Sequence, residues 1–276
     1  MKKILHLLYQ PYKWLVVIPF FILSTLIFGV IAATVAFLFN ARVASFVGGV
    51  IWARLNAWIA PIFVKVSGRE NVDIKQSYVV IANHQSAFDI FVLYGFLNID
   101  FKWVMKQELR TVPGIGLGCE KVGHIFIDRT DHESSLKSLD TARKKIVNGT
   151  SILFFPEGTR STDGIIRDFK KGAFKMALDL DLPILPVTII GTKKILPNKT
   201  LDLFPGKVLM TIHEPIPVND YSAQNINELI QTSREIMIKG TEKPHPIRGF
   251  SPLGKNQTLE INKTSDGQRI RSLQNE

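Results

Sequence analysis

The chain has one cysteine, Cys119, among 276 residues. That excludes an intramolecular disulfide framework and any metal centre built from several thiolates. His124, His132, His213 and His245 show no ligand spacing with one another or with acidic residues, so no metal is expected. No G-x-G-x-x-G follows a predicted strand, and no G-x-x-x-x-G-K-[ST] occurs, which argues against a dinucleotide or a P-loop nucleotide. The G-x-S-x-G turn of serine hydrolases is missing as well, so a serine acyl-enzyme has little support. Acidic residues are scarce: 24 against 34 lysines and arginines, a net charge of +10. Such an imbalance points to an anionic partner, whether nucleic acid, a phosphorylated substrate or an acidic lipid surface.

A long apolar run decides among those partners. From Trp14 to Phe39 there is no charged residue. The run exceeds the roughly 20 residues needed to cross a bilayer core. It also exceeds the roughly 7 to 15 apolar residues of a cleaved signal. Membrane lipid, rather than nucleic acid, is therefore the expected partner. Lys2, Lys3 and Lys13 precede the run, and Arg42, Arg54, Lys65 and Arg69 follow it, so charge gives no orientation. A second apolar stretch, 43–66, is broken by Arg54 and Asn56 and carries Trp52 and Trp58 at positions suited to an interface. Two readings fit: one span followed by an interfacial helix, or a helical hairpin that enters one leaflet and returns. Attachment to the cytoplasmic face of the cell membrane suits either.

From Gly68 the pattern alternates strand and helix. Strands are predicted at 77–83, 100–106, 123–129, 150–158, 183–191 and 207–216. Helices are predicted at 132–149, 170–181 and 225–240. The 132–149 helix rests on Leu136, Leu139, Ala142, Ile146 and Val147 at helical spacing, with Gly149 as its stop. Alternation of this kind implies an α/β fold with a mainly parallel sheet flanked by helices. The expected organisation is a membrane-associated helical segment over 1–66, an α/β domain over 67–243 and a flexible tail over 244–276.

Candidate chemistry gathers at the ends of predicted strands, where ligands bind in open α/β sheets. The strand at 77–83 runs directly into His84, with Asp89 five residues later. On a regular helix these two would lie about 140° apart. A cap at Ser86 bends the chain and lets the carboxylate meet one imidazole nitrogen, leaving the other to take a proton. A capping box with an incidental histidine gives the same spacing. The strand at 150–158 delivers Glu157, Gly158, Thr159 and Arg160; the glycine permits close backbone approach, and the hydroxyl and guanidinium suit phosphate oxygens. Two further strand ends offer Lys106 and the Asp128–Arg129 pair. Together Lys106, Arg129 and Arg160 read as an anion site beside a general base. Lys170 and Lys171 open a helix, facing solvent, substrate or membrane.

These residues resemble a known family. "NHQSAFD" (83–89) is similar to the N-H-x-x-x-x-D block of the glycerolipid acyltransferases that act on 1-acylglycerol-3-phosphate. "VGHIFIDR" (122–129), "FFPEGTRS" (154–161) and "LPILPVTI" (182–189) resemble its second, third and fourth blocks, in the family's order. The resemblance covers roughly 65–215 and extends to the apolar N-terminal region, but not past 244. It implies a glycerol-3-phosphate acyltransferase-like fold and direct acyl transfer, with no metal, cofactor or covalent intermediate. His84 would deprotonate the sn-2 hydroxyl of lysophosphatidic acid, and the product would be phosphatidic acid. The alkoxide would attack the thioester of acyl-CoA or acyl-acyl carrier protein, and Asp89 would orient His84. Glu157, Gly158, Thr159 and Arg160, with Lys106 and Arg129, would hold phosphate and glycerol. The fourth block, with Pro183 and Pro186, would shape the acyl or thioester site. Rival expectations are another acceptor, such as a different lysophospholipid or lyso-ornithine lipid, a lipid or thioester hydrolase, and a non-catalytic lipid-binding protein.

Overall fold

Four consecutive residues, Val79, Val80, Ile81 and Ala82, are completely buried and mark the centre of the molecule. The structure is a computed structural model. It describes residues 2–128, 146 and 149–242, all within one compact unit. The predicted helix at 132–149, Arg129 and the predicted tail fall outside the described residues, apart from Ile146 and Gly149.

Among the described residues seven strands form one sheet: β1 (Ile62–Ser67), β2 (Val79–Ala82), β3 (Asp100–Lys106), β4 (Ile125–Ile127), β5 (Thr150–Phe154), β6 (Ile184–Ile190) and β7 (Gly206–Ile212). Their order is β1-β7-β6-β2-β5-β3-β4. β2 pairs in parallel with β5 and β6, and β3 pairs in parallel with β5 and β4. β7 runs antiparallel to β6 and parallel to β1. The carboxyl ends of β2, β3, β4, β5 and β6 therefore share one edge of the sheet. The mainly parallel architecture is the one the alternating pattern implies.

The period of two along β2 separates two cores. Val80 and Ala82 join one with Ala53 and Ala57 of the helix Trp52–Ile59 and with Val92 and Leu93 of the helix Asp89–Phe96. Val79 and Ile81 join the other with Phe174 and Ala177 of the helix Gly172–Leu180 and with Leu229 and Met237 of the helix Ile226–Glu242. A strand covered on both faces reads as a continuous apolar run, which is why β2 and β5 were visible in the sequence.

β1 was not visible there. All of it but Ser67 falls inside the apolar stretch 43–66, read above as interfacial helix or returning hairpin, yet Ile62–Ser67 pairs along its length with β7. The helical part of that stretch stops at Ile59.

The helix Ile18–Leu38 is apolar on every side, and its buried residues are small: Ser24, Gly29 and Ala32. A Cβ on Gly29 would lie 2.0 Å from the Gly114 carbonyl oxygen, so only glycine lets this helix reach the helix Ile115–Val122. Asn40 caps the next helical turn, accepting from the backbone N–H groups of Arg42 and Val43. The chain then returns along the first helix. Asn56 hydrogen-bonds Ser24 near one end, and Gly48 meets Ala32 near the other, so the two stretches run in opposite directions. Continuous helical chain from Leu7 to Leu38, 32 residues, is long and apolar enough to cross a membrane. Ile22, Leu23, Val30, Phe37, Phe39 and Trp58 remain exposed.

Candidate active site

Where β2 ends, Asn83 extends its pairing with β6 by side chain. Its amide nitrogen donates to the Ile189 carbonyl at 2.9 Å, and its amide oxygen accepts from the Ile189 N–H at 2.7 Å. The next residue, His84, is thereby set at the carboxyl edge of the sheet.

His84 Nδ1 lies 2.8 Å from Asp89 Oδ2. The same carboxylate oxygen accepts from the Gln85 N–H at 2.7 Å and the Ser86 N–H at 2.9 Å. Ser86 Oγ in turn accepts from the Phe88 N–H at 3.0 Å and donates to the Leu196 carbonyl at 2.7 Å. Asp89 reaches back to the Ser86 N–H as the acid of a capping box does, although the Ser86 hydroxyl takes the Phe88 N–H and not that of Asp89. The two sequence readings are thus not exclusives: one carboxylate both closes the turn and holds the imidazole. An acceptor at Nδ1 places the proton on that nitrogen and leaves the Nε2 lone pair available. Asp89 is fully buried, whereas the His84 side chain is 15% exposed, so its open edge can be reached.

The β5 loop grips His84 from the other side. Glu157 Oε1 accepts from the His84 N–H at 2.9 Å, and the His84 carbonyl accepts from the Ser161 N–H at 2.8 Å. Glu157 Oε2 accepts from the Arg167 N–H at 2.9 Å. Burial raises the Glu157 carboxyl above its ordinary range, and its backbone donors oppose that. Glu157, expected among the substrate-binding residues, takes one backbone N–H on each oxygen and clamps two loops together. The imidazole stacks on Phe155 with centroids 3.8 Å apart, and Phe155 stacks on Trp103 at 5.8 Å.

Beyond Glu157 the loop turns through Gly158, at φ +77°. A Cβ there would lie 2.8 Å from Lys170 Nζ. Lys170, which the sequence left between solvent, substrate and membrane, therefore lies over this turn. Thr159 and Arg160 follow on the surface. Lys106 ends β3 at the same sheet edge and is exposed. Phe155 and Gln85, neither singled out in the sequence, complete the surroundings. A doubled phenylalanine before a Pro-Glu-Gly turn carries no signal for a ring stacked on an imidazole.

Beside the histidine loop opens a cavity of about 300 Å³. It extends from Ala87 and Ile90 to Cys119 and His124, and its walls include Phe28, Trp52, Phe91 and Met105. Trp103, in line with Phe155 and His84, is another wall residue. At its far side Tyr94 Oη bridges His124 Nε2 at 3.0 Å and Ser45 Oγ at 3.1 Å, while His124 Nδ1 accepts from the Trp103 N–H. Burial raises the Tyr94 hydroxyl above its ordinary range and pushes the Cys119 thiol up to about 12. Neither group is an activated nucleophile.

A reachable imidazole base, exposed basic residues at the same sheet edge and an apolar cavity beside them suit acyl transfer to an alcohol. The family model described as Acyltransferase matches residues 63–190. A 1-acyl-sn-glycerol-3-phosphate acyltransferase of Chlamydomonas reinhardtii is 34% identical over 236 residues, 84% of this chain and 68% of that protein. A chloroplastic enzyme of the same name from Brassica napus is 35% identical over 60% of this chain, but the match spans only 48% of its own length. The crystal structure of the 1-acyl-sn-glycerophosphate (LPA) acyltransferase PlsC from Thermotoga maritima superposes with a TM-score of 0.72 at 30% identity, covering 88% of this chain and 97% of that one. The chain belongs to the 1-acyl-sn-glycerol-3-phosphate acyltransferase family.

Proposed function

We propose that the protein transfers a fatty acyl group from acyl-CoA or acyl-acyl carrier protein to the sn-2 hydroxyl of lysophosphatidic acid, giving phosphatidic acid for phospholipid synthesis. The observation that carries this reading is the 2.8 Å contact between His84 Nδ1 and the buried Asp89 carboxylate, with the other imidazole edge open.

Nε2 of His84 removes the hydroxyl proton as the acceptor oxygen bonds to the thioester carbonyl carbon. Asp89 stabilises the imidazolium that forms, much as a buried carboxylate does in other histidine-based catalysts. The carbon–sulfur bond breaks, and the departing thiolate takes the proton back from Nε2. The enzyme returns to its starting state, and the balance needs no cofactor and no metal. Arg160, Thr159, Lys170 and Lys106 gather the acceptor's phosphate, with Gly158 allowing close approach. Arg129 is a further candidate. The apolar cavity holds a fatty chain, and Trp103 relates it to the imidazole through Phe155.

The helical hairpin seats this edge of the sheet on lipid. Its exposed apolar residues enter one leaflet, with the cytoplasmic face of the cell membrane as the natural side for a thioester made in the cytosol.

The test is a mass-spectrometric assay of membranes containing the protein, given acyl-CoA and a panel of lysolipids. Acylation of lysophosphatidic acid at least tenfold faster than of phosphate-free or ornithine-based acceptors is expected. Preference for a different lysolipid would overturn the acceptor assignment, and release of free fatty acid without a diacyl product would make the protein a hydrolase.

A further inference from the structure

His84 ends the central strand, and its sheet neighbours are β5 on one side and β6 on the other. The β5 side supplies the rim of Gly158, Arg160 and Lys170. The β6 side carries a second basic group that the acceptor leaves unused.

β6 stops at Ile190. Gly191 then turns the chain at φ +107°, where a Cβ would lie 2.5 Å from the Lys207 carbonyl oxygen. The helical turn Thr192–Ile195 that follows holds Lys193, half-buried, and Lys194, exposed. The position of a Cβ on Gly164 would be 3.8 Å from Lys193 Cδ and 3.9 Å from Gln85 Nε2. Gln85 Nε2 also donates to the Gly164 carbonyl at 3.2 Å. The Lys193 stem and the side chain next to His84 therefore flank the same glycine.

This juxtaposition is fixed from both ends. Asn83 binds Ile189 through two hydrogen bonds before the turn, and Ser86 binds the Leu196 carbonyl after it. Among the described residues neither Lys193 nor Lys194 forms a salt bridge.

The proposed reaction has two phosphorylated substrates. The acceptor carries its phosphate close to the reacting hydroxyl. The donor carries its thioester at the end of a pantetheine arm, whose own phosphate lies at the far end. Such an arm is about as long as four extended residues, roughly 14 Å. Its phosphate therefore lies well away from the imidazole. One cluster of cations cannot hold both anions without bringing their charges together.

We propose that Lys193, supported by Lys194, binds the phosphate at the end of the donor's pantetheine arm, on the β6 side of His84. This rests on the acyl-transfer reading given above.

The experiment compares acyl-CoA with the N-acetylcysteamine thioester of the same fatty acid, which lacks phosphate, using lysophosphatidic acid as acceptor. In Lys193→Met the KM for acyl-CoA rises about tenfold, the size of one lost charge-assisted hydrogen bond. The preference for acyl-CoA over the phosphate-free thioester shrinks by the same factor, while the KM for lysophosphatidic acid stays within twofold. Lys193→Arg retains most of the acyl-CoA affinity. A KM rise for lysophosphatidic acid in place of acyl-CoA would assign Lys193 to the acceptor. Equal losses on both donors, or no change, would equally overturn the donor site. Wild-type protein that fails to acylate lysophosphatidic acid would instead bring down the functional reading itself.

Discussion

The histidine loop and the basic rim lie at one edge of one sheet, yet they are built in opposite ways. From Asn83 to Asp89 most polar groups are spent: the Asn83 amide on Ile189, Asp89 Oδ2 on three donors, Ser86 on Phe88 and Leu196. The rim residues Lys106, Thr159, Arg160 and Lys170 are exposed. The difference teaches a division of labour. Groups that move a proton are locked in advance, because a misplaced base loses most of its worth. Groups that hold an anion stay hydrated until the anion arrives, because burying cations without partners costs far more.

That contrast is open to attack, beginning with the locked side. His84→Ala removes the base and lowers kcat by about 10²- to 10⁴-fold. The fold survives, since the ring is partly exposed and carries no structural hydrogen bond except to Asp89; circular dichroism and thermal melting check this. Asn83→Ala strands the Ile189 N–H and C=O inside the protein and costs about 1–3 kcal/mol of stability by chemical denaturation. If this variant proves neutral, the loop is not locked as described. On the rim, Arg160→Met raises the KM for lysophosphatidic acid about tenfold with kcat within threefold; a large kcat loss with unchanged KM would erase the division of labour. The smallest effect concerns Cys119. With its thiol pushed up to about 12, its alkylation by iodoacetamide at pH 8 runs on the order of 10³-fold slower than that of an ordinary cysteine. The rate still climbs about tenfold per pH unit at pH 10, where an ordinary thiol has levelled off.

Much of this was legible in the residues. The continuous apolar runs of β2 and β5 announce strands covered on both faces, and the residues just after them form the site. The His84–Asp89 contact follows from a five-residue spacing plus a capping serine. What stayed hidden depends on distance in sequence. Ile62–Ser67 reads as more of the apolar stretch before it, because its period of two is blurred by Phe63, and only pairing with β7, some 140 residues later, makes it a strand. Glu157 carries the right charge to suggest chemistry, but its role comes from two backbone N–H groups brought to it by other loops. Lys170 and Lys193 look like ordinary helix-start lysines; what marks them is the glycine under each, at 158 and 164.

The central claim is that an imidazole held by a buried carboxylate transfers an acyl group to the sn-2 oxygen of lysophosphatidic acid. The measurement closest to it follows a carbon-13 acyl chain from acyl-CoA into product, with the labelled position read after selective release of the sn-2 chain. Wild-type protein should place the label at sn-2 of phosphatidic acid, and equally folded His84→Ala should place almost none there. Label entering at the same rate without the imidazole, or appearing only as free fatty acid, would contradict the account.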